Sequence, residues 1–118
     1  MGLRTSYDCW WGSCSGFYEW RKLLCSLAGW GDLADYYEER KTWPDKDDVL
    51  VELLDHSDTG GELAAAICEP LAARLEGLAP LIANGPADIR IFFYDDTLQF
   101  IRGLRAAAAA GRPVEFSS

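Results

Sequence analysis

Two stretches at helical spacing, parted only by Asn84-Gly85-Pro86, commit more of this chain than any other feature. In the first, Leu63–Ala83, the residues Leu71, Leu75, Leu78 and Ile82 recur in steps of three and four, which sets them on one side of a 3.6-residue helix. Pro70 interrupts the pattern because proline has no N–H to donate, so the helix is expected to start near Pro70 or to kink there. In the second, Asp88 opens an element that runs through Ile89, Phe93, Phe100, Ile101 and Leu104 into Ala106–Ala110. The alanines carry high helix propensity, and Gly111 and Pro113 close the element.

The first half is patterned more briefly. Ser15–Ala28 carries Phe17, Trp20, Leu24 and Leu27 at helical spacing, with Ser15 as the expected N-cap and Gly29 as the stop. Asp32 is expected to cap a shorter helix, Leu33–Lys41, with Leu33, Tyr36 and Tyr37 on one side; it must end before Trp43-Pro44-Asp45, and Trp43–Asp47 reads as a loop. The short apolar run Val49–Leu54 has β-branched residues and the length of a buried strand. Val114–Phe116 and Leu3–Tyr7 are expected to supply strands beside it. The expectation is an α+β fold, a mostly helical single domain spanning residues 1–118 with a small sheet of two to three short strands.

With 118 residues, 49% of them hydrophobic, the chain has ample apolar side chain for one core and no pattern for a second. No apolar run approaches the roughly 20 residues that span a bilayer, and Met1–Trp20 has no basic-then-apolar leader pattern. A soluble, unprocessed, cytoplasmic protein without a membrane partner is therefore expected. Nineteen acidic against eleven basic residues give a net charge of -8, which opposes direct nucleic-acid binding, since that affinity comes from clustered Lys and Arg. The same charge either keeps the protein soluble or suits a protein partner with a basic surface. Cys9, Cys14, Cys25 and Cys68 read as reduced thiols, with no zinc-type spacing among them and Cys25 and Cys68 as small buried hydrophobes. No metal or other cofactor is implied, and the 13% aromatic content points to a homo-oligomer.

Two polar segments stand out as sites. Asp8-Cys9-Trp10-Trp11-Gly12-Ser13-Cys14-Ser15-Gly16 sets two tryptophans, two glycines and two serines ahead of a helix, whose free N–H groups can receive an anion while Trp10 or Trp11 stacks on a flat ring. The structural alternative has Ser15 capping, Gly12 and Gly16 turning, and both tryptophans in the core. Arg21, six residues beyond Ser15, either grips an anion or is an ordinary solvated helix arginine. The second segment, His56-Ser57-Asp58-Thr59-Gly60-Gly61-Glu62, holds the only histidine with two carboxylates, which suits a general base or part of a metal site. Its structural alternative is a capping box made by Thr59 and Glu62. His56, Ser57 and Asp58 are too close in sequence to form a triad, and a triad drawn from Ser13 or Ser15 has no GxSxG signature. Asp95-Asp96 reads as exposed helix charge rather than a catalytic dyad.

Asp8-Cys9-Trp10-Trp11-Gly12 with Ser15 and Arg21, His56-Ser57-Asp58 with Gly61-Glu62, and Gln99–Arg105 with Ala106–Ala110 and Pro113–Phe116 together resemble a family of small uncharacterised bacterial and phage-encoded proteins. No activity comes with the resemblance. Members of that family read DCWHG where Trp11 takes the histidine position here, and HSDCDGE where this chain has Thr59 and Gly60. If those positions formed a metal or catalytic site, three polar groups are gone here, which favours binding over catalysis.

These readings converge on a non-enzymatic protein that binds a small polar or anionic ligand, nucleotides included, between the two segments. Asp8, Trp10, Trp11, Ser13, Ser15, Arg21, His56, Ser57, Asp58 and Glu62 are the expected ligand-binding residues. A phage counter-defence protein that sequesters a nucleotide-derived signal would have such a pocket. The alternatives are an acidic protein-protein inhibitor of the nucleic-acid-mimic type and a metal-assisted hydrolase using His56, Asp58 and Glu62.

Overall fold

A computed structural model describes residues 2–39, 41–57 and 60–118. In chain order the elements are β1 (Gly2–Thr5), a 3-10 turn (Ser6–Asp8), β2 (Trp11–Ser13), α1 (Cys14–Leu27), α2 (Leu33–Glu38), α3 (Leu50–Leu54), β3 (Gly61–Leu63), α4 (Ala65–Ala83), α5 (Ala87–Ala110) and β4 (Val114–Ser117). The fold is α+β: mostly helical, with one antiparallel sheet in the order β2-β1-β4-β3. Alternation along β1 and β4 turns Leu3, Thr5, Val114 and Phe116 inward and leaves Arg4, Glu115 and Ser117 on an open face. The inward residues join Phe17, Trp20, Leu24, Leu54, Leu71, Leu75, Phe100 and Leu104 in one core. Among the described residues no helix is long and apolar enough to cross a membrane.

The sheet has four strands rather than two or three. β2 and β3 are only three residues long and glycine-containing, which leaves little alternation to read in the sequence. The expected strand Val49–Leu54 is instead a helix, α3, whose Leu50, Leu53 and Leu54 are buried at i, i+3 and i+4. Asp48 accepts from the Leu50 backbone N–H (2.9 Å) and pairs with Arg74 Nε (3.1 Å), fixing that turn against α4. Helical packing thus overrides the β-branching of Val49 and Val51, and the place beside β4 goes to β1 and β3.

Helix boundaries also differ from those expected. α1 is capped by Ser13, whose Oγ accepts from the Gly16 N–H at 2.9 Å, and Ser15 lies inside the first turn. Asp32 caps α2 as expected, accepting from Ala34 N–H at 3.0 Å, but the helix ends at Glu38. α4 starts at Ala65 and includes both Pro70 and Pro80. α5 does end at Gly111, whose φ of 66° is the left-handed cap that glycine adopts most readily. The strand expected within Leu3–Tyr7 stops at Thr5, because Tyr7 and Asp8 turn left-handed at φ 60° and 54°.

Candidate functional site

The chain enters α1 over a tight support. Thr5 backbone N–H donates to the Trp10 carbonyl (3.1 Å) and Trp10 N–H donates to Thr5 Oγ1 (3.0 Å). Gln99 Nε2 of α5 holds the left-handed turn by donating to the Asp8 carbonyl at 2.8 Å. This seats the Trp10 ring in the core, 5.4 Å from Trp20 in a stacked arrangement and 5.4 Å from Phe17 edge-on, so Trp10 is 6% exposed. Trp11, the next residue, faces out and is 76% exposed. One tryptophan of the pair therefore follows the structural alternative and the other does not.

The two buried indoles differ in one respect. Trp20 Nε1 donates to Thr97 Oγ1 at 2.9 Å, and the Thr97 hydroxyl in turn donates to the Phe93 carbonyl at 2.7 Å, tying α1 to α5. Trp10 Nε1 is buried with no hydrogen-bond partner among the described residues. Gly12 lies over it: a Cβ there would be 3.5 Å from Trp10 Nε1, and one on Gly16 would be 3.7 Å from Trp10 Cζ2. Beside these glycines opens a cleft of 420 Å³ lined by Trp10, Trp11, Gly12, Ser13, Ser15, Gly16, Glu19 and, from α5, Phe92, Phe93 and Asp96. Phe92 is 69% exposed. Among the described residues lining it are two carboxylates and no lysine or arginine; partial burial, and then the charge of Asp95, push the Asp96 carboxyl above its ordinary range.

Arg21 is neither a solvated helix arginine nor a ligand grip at this mouth. It is 1% exposed, and its Nη1 donates to the carbonyls of His56 (2.6 Å) and Leu54 (3.0 Å) and to Tyr37 Oη (3.0 Å). Tyr37 in turn donates to the Leu54 carbonyl. The guanidinium lies 4.8 Å above the Phe17 ring, and burial pulls its pKa below the usual arginine value. Arg21 thereby joins the two polar segments from inside the core.

The His56 ring packs 4.2 Å from Phe116, with Nδ1 2.9 Å from the Ser57 carbonyl and Nε2 3.2 Å from the Glu62 carbonyl. Both nitrogens thus face acceptors of the chain itself, which leaves no lone pair aimed outward for general-base work. A second cleft, 310 Å³, is lined here by Val51, Glu52, Asp55, His56, Ser57, Gly60, Gly61 and Glu62. Glu62 belongs to β3 and not to a helix first turn, while Asp58 and Thr59 of the expected capping box and metal set lie outside the described residues. Among the described residues no group of His, Cys, Asp or Glu is arranged to hold a metal ion.

The structure therefore brings Trp10, Trp11, Ser13 and Ser15 to one cleft and His56, Ser57 and Glu62 to another, while Arg21 lines neither. The exposed Asp8 belongs to the strained turn and lines neither cleft. Glu19, Phe92 and Phe93 were missed in the sequence, and Asp96 was read only as helix charge. The available signal was Ile91-Phe92, two large apolar residues pointing away from the buried side of α5, at 72% and 69% exposed.

No protein-family model, curated protein or solved structure matches this chain.

Proposed function

We propose that the protein is a non-enzymatic binding protein that takes a small flat ligand in the cleft between the β2–α1 entry and α5. The observation that carries this is the exposed Trp11 and Phe92 lining one cleft with a buried, unpartnered Trp10 N–H at its glycine floor. Stacking platforms of this kind accept any ring with a π-face, and a polar group without a partner in the free protein gains one when a ligand supplies it. The absence of cations among the cleft's described lining residues argues that an anionic ligand does not bury its charge there. Arg4, the exposed cross-strand partner of Trp11, lines the neighbouring cavity with Trp11, so a phosphate tail would lie on that side. A nucleotide-derived signal held by sequestration in a cytoplasmic setting fits this reading.

Calorimetric titration with nucleosides, nucleotides, cyclic nucleotides and uncharged flat heterocycles tests the proposal: binding that disappears in Trp11→Ala supports it, and silence across the panel sinks it. A second reading, docking of a basic protein, has the exposed Ile91-Phe92 pair and the net charge of -8 in its favour. It predicts an affinity that falls steeply with salt, whereas an uncharged ring in the cleft binds with little salt dependence.

A further inference from the structure

We infer that the groove between α4 and α5 takes an elongated amphiphile with a single carboxylate head, of the medium-chain fatty acid type. This goes beyond the flat-ligand reading, and the groove shares no lining residue with the cleft beside Trp11. Pro80 and Ala83 of α4 and Tyr94, Leu98, Ile101 and Arg105 of α5 recur in steps of three and four, so each helix lends one stripe to the same furrow of 530 Å³. That volume suits a small ligand. The floor is apolar: Ala79, Pro80 and Ala83 are short side chains set across from Leu98 and Ile101, which leaves the furrow unfilled.

Charge is gathered at one end. Arg105 Nε donates to Glu69 Oε1 (3.2 Å) and its Nη2 to Glu76 Oε1 (2.5 Å), so this cation and both carboxylates are already paired. Arg102, three residues earlier on α5, is exposed and makes no ion pair or hydrogen bond among the described residues. Two arginines against Glu76 give the described lining a net positive charge, in a chain whose own charge is -8. From Arg102 back to Tyr94 the groove runs about 12 Å by helical rise, and no other charged side chain lines that stretch among the described residues.

A matching ligand carries a negative head and an extended apolar body. The guanidinium of Arg102 can donate two parallel N–H groups to a carboxylate while the body covers the apolar floor. One free cation matches the single charge of a carboxylate, which a phosphate monoester exceeds at neutral pH.

The full chain is titrated in a calorimeter with decanoate, kept below the concentration at which it forms micelles, and with decanol and acetate. Decanoate is expected to bind one to one. Decanol, which keeps only the body, and acetate, which keeps only the head, should each bind at least about five-fold more weakly. Arg102→Gln, which retains helix propensity, should lower decanoate affinity at least about five-fold and leave decanol unchanged. Ala83→Trp, which fills the furrow, should weaken decanoate and decanol alike, with circular dichroism showing that both variants keep the fold. Silence from decanoate, decanol binding as tightly as decanoate, or undiminished binding by Arg102→Gln overturns the inference. So does a dimer in analytical ultracentrifugation that Ala83→Trp disperses, since a second copy then covers the groove. The flat-ligand reading stands or falls on its own titrations, whichever of these results is found.

Discussion

Arg21 Nη1 lies 2.6 Å from the carbonyl oxygen of His56, so a fully buried cation on α1 holds the end of α3 and the histidine that follows it. The Leu54 carbonyl is one of those that a helix leaves without an intrahelical partner at its C-terminus, the His56 carbonyl lies two residues beyond it, and the guanidinium serves both. Arg21→Met keeps much of the apolar stem but removes the donors. Urea denaturation is expected to show a loss of about 3 kcal/mol, because the His56 carbonyl then loses its guanidinium donor while the Leu54 carbonyl keeps only Tyr37. Arg21→Lys should recover only part of it, since one ammonium lacks the planar fork.

Gly103 of α5 packs directly on the turn that precedes β2. A Cβ there would fall 2.4 Å from Cys9 Sγ and 2.9 Å from both Cys9 Cα and the Tyr7 carbonyl. Gly103→Ala is expected to cost about 2–3 kcal/mol, read as a fall in thermal midpoint, because the clash includes backbone that cannot swing away. Gly77, in the middle of α4, has nothing within 4 Å of the same position. Gly77→Ala should raise stability by up to about 1 kcal/mol through helix propensity.

Burial sets the reactivity of the four thiols. It pushes Cys9 up to about 12 and Cys25 up to about 11, and raises Cys68 in the same direction. All three are therefore protonated at neutral pH as well as shielded, while Cys14 at the start of α1 is half-buried. A thiol reagent such as Ellman's reagent at pH 8 is expected to modify Cys14 in the folded protein and the remaining three only after denaturation. Rapid modification of more than one thiol per native chain would contradict this packing.

On the open face of the sheet Glu62 of β3 stands directly opposite Glu115 of β4. Like charges at cross-strand positions repel, so Glu115→Lys should stabilise the protein by about 0.5 kcal/mol, and the gain should shrink in high salt.

How much of this was legible in the sequence depended on how far each signal extends along the chain. α5 and its Gly111 cap are written over more than twenty residues, and Asp32 is a local cap whose chemistry does not depend on the rest of the fold. Val49–Leu54 was misread because five or six apolar residues satisfy a buried strand and a short helix equally, and only the packing of Leu50, Leu53 and Leu54 decides between them. The Trp10-Trp11 pair was legible as a site feature, but which ring goes in and which goes out is set by Thr5 and Gln99, distant partners that no local pattern reveals. Arg21 was legible only as a charge on a helix; its burial follows from carbonyls more than thirty residues away. Phe92 and Asp96 join the cleft through the docking of α5 on α1, which Trp20 and Thr97 hold across 77 residues of chain.

The cleft itself is tested most directly by titrating the wild-type protein and the Trp11→Ala variant with guanosine, adenosine and uncharged flat heterocycles in a calorimeter. The account predicts saturable one-to-one binding to the wild type and at least about a five-fold loss in the variant, since removing one stacked ring forfeits about 1–3 kcal/mol. Binding that survives Trp11→Ala undiminished, or no heat with any of these rings, would contradict it.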